Sequence, residues 1–168
     1  QEIIALRTGD ILSGDGGYVL PPPGPGVWEP NVVNSVPVPP MDPWMRNLQP
    51  FMRAAANGLR PPVPPALDEA QYLADLAEVR ELGSASAPST TRTPEMTEVA
   101  QFWSTNMVLQ TNASYRNLAA TRGLGLLETA RLMAMGNMAA SDSLIATFDA
   151  KYAYSFWRPH TAIRHTNP

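Results

Sequence analysis

Lys151 and Arg158 are the residues whose types and spacing carry the most chemistry, inside the string Asp149-Ala150-Lys151-Tyr152-Ala153-Tyr154-Ser155-Phe156-Trp157-Arg158-Pro159. On an unbroken helix two cations seven residues apart share a face, yet stand about 10 Å apart along the axis at 1.5 Å per residue. One small anion would not reach both. Pro159 alters this, because a proline disfavours helical geometry in the residue before it. The chain is therefore expected to leave the helix at Arg158 and let the guanidinium fold back toward Lys151. The pair then suits a tetrahedral or trigonal-bipyramidal oxyanion, with the planar Arg fork matching two oxygens and the compact ammonium a third. Tyr152, Tyr154, Phe156 and Trp157 would wall such a site and strengthen its electrostatics by excluding water. The same two residues also read as solvated cations favoured by the negative end of a helix, and spacing alone does not separate the readings.

The element that must carry Lys151 is the longest helical candidate, about Leu126 to Tyr154. It is apolar on most sides, with Leu127, Ala130, Met133, Ala134, Met138, Leu144, Ile145 and Phe148, the pattern of a central helix surrounded by others. Three shorter helices precede it. One begins at Asp68, a candidate N-cap with Gln71 three residues on, runs through Tyr72, Leu73, Leu76 and Val79, and ends at Gly83. A second restarts after a Ser/Ala/Thr-rich loop at Thr93-Pro94, a hydroxyl cap with proline at the first helical position, and is expected to bury Val99, Phe102 and Trp103. A third covers roughly Asn112 to Thr121 and stops at Gly123.

Residues 1–66 read differently. Gly14, Gly16, Gly17, the run from Pro21 to Gly26, and prolines from Pro37 to Pro65 exclude regular helix. Trp28, Val32, Val33, Trp44, Leu48 and Phe51 are spaced as anchors of an ordered strip laid over a helical body rather than as a free linker. Short strands are expected only around Tyr18–Leu20 and Val32–Val38. The fold class is thus all-α, a helical bundle (67–168) with a long Pro/Gly-rich irregular N-terminal strip (1–66). Ile3-Ile4-Ala5-Leu6 reads as the end of a helix under way and Thr166-Asn167-Pro168 as an open turn, so a fragment or processed subunit, incomplete at the C-terminus, is the expectation.

The 168 residues suffice for one domain, with 44% hydrophobic and 16% charged residues and a net charge of -3. So much apolar material with so little charge points to a partner surface. No Lys/Arg run has the density of a nucleic-acid interface. The absence of cysteine excludes disulfides, thiolate metal sites and thiol nucleophiles. No apolar stretch approaches the roughly 20 residues of a transmembrane helix.

The spacing Lys-x6-Arg-Pro from Lys151 to Pro159 resembles the first signature of the phosphatidic acid phosphatase type 2 superfamily. More narrowly, the stretch from Lys151 to Arg164, which continues as His160-Thr161-Ala162-Ile163-Arg164, is similar to the bacterial vanadium-dependent haloperoxidases. Gly24-Pro25-Gly26-Val27-Trp28-Glu29-Pro30, Ser89-Thr90-Thr91-Arg92-Thr93 and Ala100-Gln101-Phe102-Trp103 add softer likeness upstream. The resemblance implies that Lys151 and Arg158 bind equatorial oxygens of vanadate, or of phosphate as its analogue, and that Trp157 walls the pocket. It implies a protein that oxidises halide with hydrogen peroxide or, alternatively, an acid-phosphatase-type phosphohydrolase using the same pocket. A third reading, from another class, is a noncatalytic structural subunit.

The family's Ser-Gly-His and Arg-to-His signatures have no counterpart among these 168 residues. The set of catalytic residues and vanadium ligands is therefore incomplete in this chain, which by itself is expected to be inactive. The partner implied is the remaining C-terminal half or a companion chain carrying those motifs, with a homo-oligomer as a further expectation. Many relatives are exported, which makes a periplasmic or extracellular location the one the resemblance suggests. His160 and His165 fall outside the signatures and read as surface or packing residues. Asp142 and Asp149 share a helical face, Asp149 as a tether for Arg158 or Arg164. Met133, Met135 and Met138 read as core filler, and the sequon Asn112-Ala113-Ser114 carries no weight.

Overall fold

A computed structural model of the chain describes residues 2–52, 56–84 and 91–166. Among them the helices are α1 (Glu2–Leu6), α2 (Ala70–Leu82), α3 (Pro94–Trp103), α4 (Met107–Thr121), α5 (Leu126–Tyr154) and α6 (Pro159–Thr166), with 3-10 turns at Pro43–Asn47 and Ala56–Leu59. Among the described residues the strands are limited to β1 (Val32–Val33) and β2 (Val36–Pro37), an antiparallel pair in the register Val32 with Pro37 and Val33 with Val36. Asn34 and Ser35, both at positive φ, make the two-residue turn between them, as tight hairpins require. The protein is an all-α helical bundle. Tyr18–Leu20 is not a strand.

Helix starts follow local chemistry where a side chain can reach the first free N–H groups. Thr93 caps α3 by accepting from the Met96 N–H, with Pro94 behind it. Asn106 caps α4 by accepting from the Val108 and Leu109 N–H groups, so α4 begins five residues before the Asn112 expected from apolar spacing. The capping box expected at Asp68 and Gln71 does not form. Glu69 is the cap residue of α2 without a side-chain bond, and Gln71 donates along the helix to Asp75 at 2.7 Å.

α5 packs against both 3-10 turns and against α4, while α2 packs on α6. At Gly136 the Tyr115 ring of α4 comes close, since a Cβ there would lie 2.5 Å from its Cζ. Asn112 and Asn137 exchange amide hydrogen bonds of 3.2 Å across the same contact. The burial expected of a surrounded helix holds only for the second half of α5, where Asp142, Ile145, Ala146, Asp149 and Tyr152 are buried. Leu126, Leu127 and Met135 are exposed. Val99, Phe102 and Trp103 are likewise exposed rather than forming a buried face of α3.

The strip is held by α5 side chains because its irregular backbone offers few partners of its own, and backbone polar groups must be satisfied somewhere. Asp142 accepts from the Phe51 and Met52 N–H groups at 2.6 and 2.7 Å. Tyr152 donates to the Met41 carbonyl, and Tyr154 to the Pro61 carbonyl at 2.6 Å. Asp149 receives both Nε and Nη2 of Arg60 at 2.7 Å. The tether of Asp149 is therefore Arg60, from the strip, and neither Arg158 nor Arg164. Of the strip's expected anchors, Trp28 and Leu48 are buried, whereas Val32 and Val33 are exposed.

Candidate oxyanion site

α5 ends at Tyr154, four residues before Arg158, and the break is made by Ser155 rather than by Pro159. Ser155 adopts the left-handed conformation (φ 45°, ψ 39°), which costs a non-glycine residue on the order of 1 kcal/mol. It is buried there, with its Oγ hydrogen-bonded to the Tyr18 hydroxyl at 2.9 Å. The chain then runs extended through Trp157 and pairs with the strip. Trp28 N–H donates to the Ser155 carbonyl at 2.7 Å and Trp157 N–H to the Gly26 carbonyl at 3.0 Å, with a bridge between Val27 and Phe156. Gly26 turns at φ +80° to make this approach, a conformation open to glycine at little cost. Pro159 starts α6, and the Arg158 carbonyl accepts the first N–H groups of that helix.

This path removes Arg158 from the α5 axis, so the seven-residue spacing no longer imposes a helical separation on the two cations. Each is half-buried. The Lys151 Nζ lies 4.9 Å from the ring centre of Phe148 and 5.0 Å from that of Tyr152. The Arg158 guanidinium lies 5.5 Å from the ring centre of Trp28. Burial pushes the Lys151 ammonium below the ordinary lysine pKa, and the positive charge of Arg158 adds to the shift, with Asp42 opposing it. The Tyr152 hydroxyl is pushed up by burial first and then by Tyr18 and Asp42, while Arg158 pulls it down. The Arg158 charge thus reaches Lys151. Among the described residues neither side chain forms a hydrogen bond or ion pair.

The aromatic residues expected as walls divide between two places. Tyr152 stays beside Lys151. Phe156 and Trp157 belong to an apolar cluster with Tyr72, Ala162, Leu67 and Leu76, where both line a cleft of about 250 Å³ between α2 and α6. Tyr154 points to Pro61. The rings at the cations that spacing did not identify are Phe148, on the same helix as Lys151, and Trp28, from the strip. Trp28 lies in the Gly24–Pro30 string, and that likeness was the one signal available for it. His160 is exposed; His165 bonds Glu29 at 3.0 Å and lies against Trp157. Of the Ser89–Thr93 string, Ser89 and Thr90 lie outside the described residues.

Residues 131–167 match the family model described as the VCPO second helical-bundle domain. Over that stretch the chain is similar to the vanadium haloperoxidases. The matched stretch contains Asp142, Asp149, Lys151 and Arg158, and covers most of α5 with all of α6. The relation implies vanadate as the family's cofactor. No curated protein and no solved structure matches the chain.

Proposed function

We propose that Lys151 and Arg158 form the oxyanion cradle of a haloperoxidase-type site that binds vanadate and serves halide oxidation by hydrogen peroxide. The observation that carries this reading is that two half-buried cations, each over an aromatic ring and left without an anionic hydrogen-bond partner among the described residues, flank the point where α5 breaks. Repulsion between like charges in a partly desolvated place disfavours the empty arrangement, and an anion held between them reverses the sign of that term. The donor set fits vanadate: a fork for two oxygens and an ammonium for a third.

Lys151, flanked by Phe148 and Tyr152, is shielded from water on its ring side, which strengthens its contact with a bound oxyanion. Arg158 orients the anion through its planar fork. These two groups would hold an oxyanion between them and would stabilise negative charge on its oxygens. Bound vanadate supplies the activation of hydrogen peroxide. The acid-base and ligating histidines that this reading requires would be supplied by Ser-Gly-His and Arg-to-His motifs, which residues 1–168 do not contain.

The test is equilibrium binding of orthovanadate to the completed assembly, with phosphate as competitor. Lys151→Ala and Arg158→Ala are each expected to weaken binding by about 1 to 3 kcal/mol, the worth of a charged hydrogen bond. Unchanged affinity in both variants overturns the reading. Turnover of a phosphate ester, inhibited by vanadate, would assign the same cradle to phosphoryl transfer instead.

A further inference from the structure

We infer that Trp28 is the third member of the oxyanion cradle, its ring face holding the Arg158 guanidinium in place and its indole N–H donating to the same anion. This rests on the cradle reading above. Trp28 lies 123 positions before Lys151 in the chain, outside the stretch that matches the family model.

Two observations at one ring carry it. The guanidinium of Arg158 lies 5.5 Å from the ring centre, within the range where a cation is attracted by the negative face of an indole. Trp28 is also 8% exposed, and its Nε1 is buried without a hydrogen-bond partner among the described residues. A buried N–H without an acceptor carries an unrecovered desolvation cost, and an oxyanion bound by Arg158 would bring acceptor oxygens to the same ring.

The backbone explains why this position is held firmly enough to serve. Trp28 N–H donates to the Ser155 carbonyl at 2.7 Å, Val27 bridges Phe156, and the neighbouring Glu29 takes a 3.0 Å bond from His165 of α6. The strip is thereby tied to both sides of the Ser155–Arg158 segment. A side chain locked by such supports can position a flexible Arg at small entropic cost.

The experiment is an orthovanadate titration of the nitrogen-15-labelled intact protein, following the indole N–H signals of its four tryptophans and the Arg158 Nε–H. The signals are assigned by single substitution. The Trp28 and Arg158 signals are expected to shift together along one binding curve, while Trp103 stays still. Trp28→Phe, which keeps a ring face and removes the N–H, is expected to weaken binding about threefold, and Trp28→Leu, which removes both, about tenfold. If Arg158 titrates while the Trp28 N–H does not move and Trp28→Phe binds as wild type, the inference is overturned and the cradle stands. If neither signal moves, the cradle reading fails and this inference with it. Thermal unfolding of both variants guards against a lost fold, and the wild-type titration decides the matter even if Trp28→Leu does not fold.

Discussion

From Asp142 onward α5 buries its side chains against the strip, whereas its first turns leave Leu126 and Leu127 91% and 83% exposed. Both halves are helical, so burial is not what makes the first half a helix. Its Leu, Ala, Met, Arg and Glu residues favour the helix intrinsically, and Glu128 reaches back to the Gly125 N–H at 3.0 Å to close the first turn. The second half is held by tertiary ties, and several of those ties are polar. A strip rich in proline cannot satisfy its backbone by forming a sheet with the helix. The side chains of Asp142, Tyr152 and Tyr154 take that role instead. Lys151 and Arg158, the residues of the proposed cradle, stand at and just beyond the end of the tied half.

The contrast can be broken by substitution. Ile145→Ala is expected to have the largest effect, about 3 kcal/mol of lost stability, because Ile145 is fully buried and its truncation leaves a cavity. Asp142→Ala comes next at about 2 kcal/mol, since it strands the Phe51 and Met52 N–H groups. Urea unfolding followed by circular dichroism reads both. A value for Asp142→Ala under about 0.5 kcal/mol would remove the polar ties from the account of the tied half. Leu127→Ser, in the exposed half, is expected to change stability by no more than about 0.5 kcal/mol. A loss as large as that of Ile145→Ala would show that the exposed half is covered in solution.

The smallest effect concerns Lys151. Its pKa is lowered in the folded state by burial and by Arg158, so between the folded and the ordinary lysine values the unfolded chain binds more protons. Stability contributed by this residue therefore rises as pH is raised through that window. In Lys151→Met this rise is expected to disappear from the pH dependence of Tm, and below the window the variant is expected to melt slightly higher than wild type. A Tm-against-pH profile unchanged by the substitution would contradict the crowding of the two cations.

Local chemistry was legible in the sequence. Thr93-Pro94 marks the start of α3 and the apolar run from Leu126 to Tyr154 marks α5, because caps, propensity and periodicity act over a few residues. Long-range choices were not. Arg60 rather than Arg158 pairs with Asp149 across 89 residues, and nothing in local spacing ranks one guanidinium over another. Asp42 acts on Lys151 from a left-handed turn at the start of a 3-10 segment. Val99, Phe102 and Trp103 have the spacing of a buried face yet stay exposed, since periodicity states which face is apolar and not what covers it. At the candidate site, Lys151 and Arg158 were singled out by their types, while the break between them lies at Ser155, whose left-handed backbone no residue preference predicts. Trp157 was expected as a pocket wall; it lines the α2–α6 cleft, and Trp28 lies over Arg158.

The convergence of Lys151 and Arg158 on one anion is tested most directly by soaking crystals of the protein in tungstate and locating the metal by anomalous scattering. One peak is expected, within hydrogen-bonding reach of the Lys151 ammonium and both arms of the Arg158 fork. A peak bound by only one of the two, or none at the break in α5 while tungstate binds elsewhere, would contradict it.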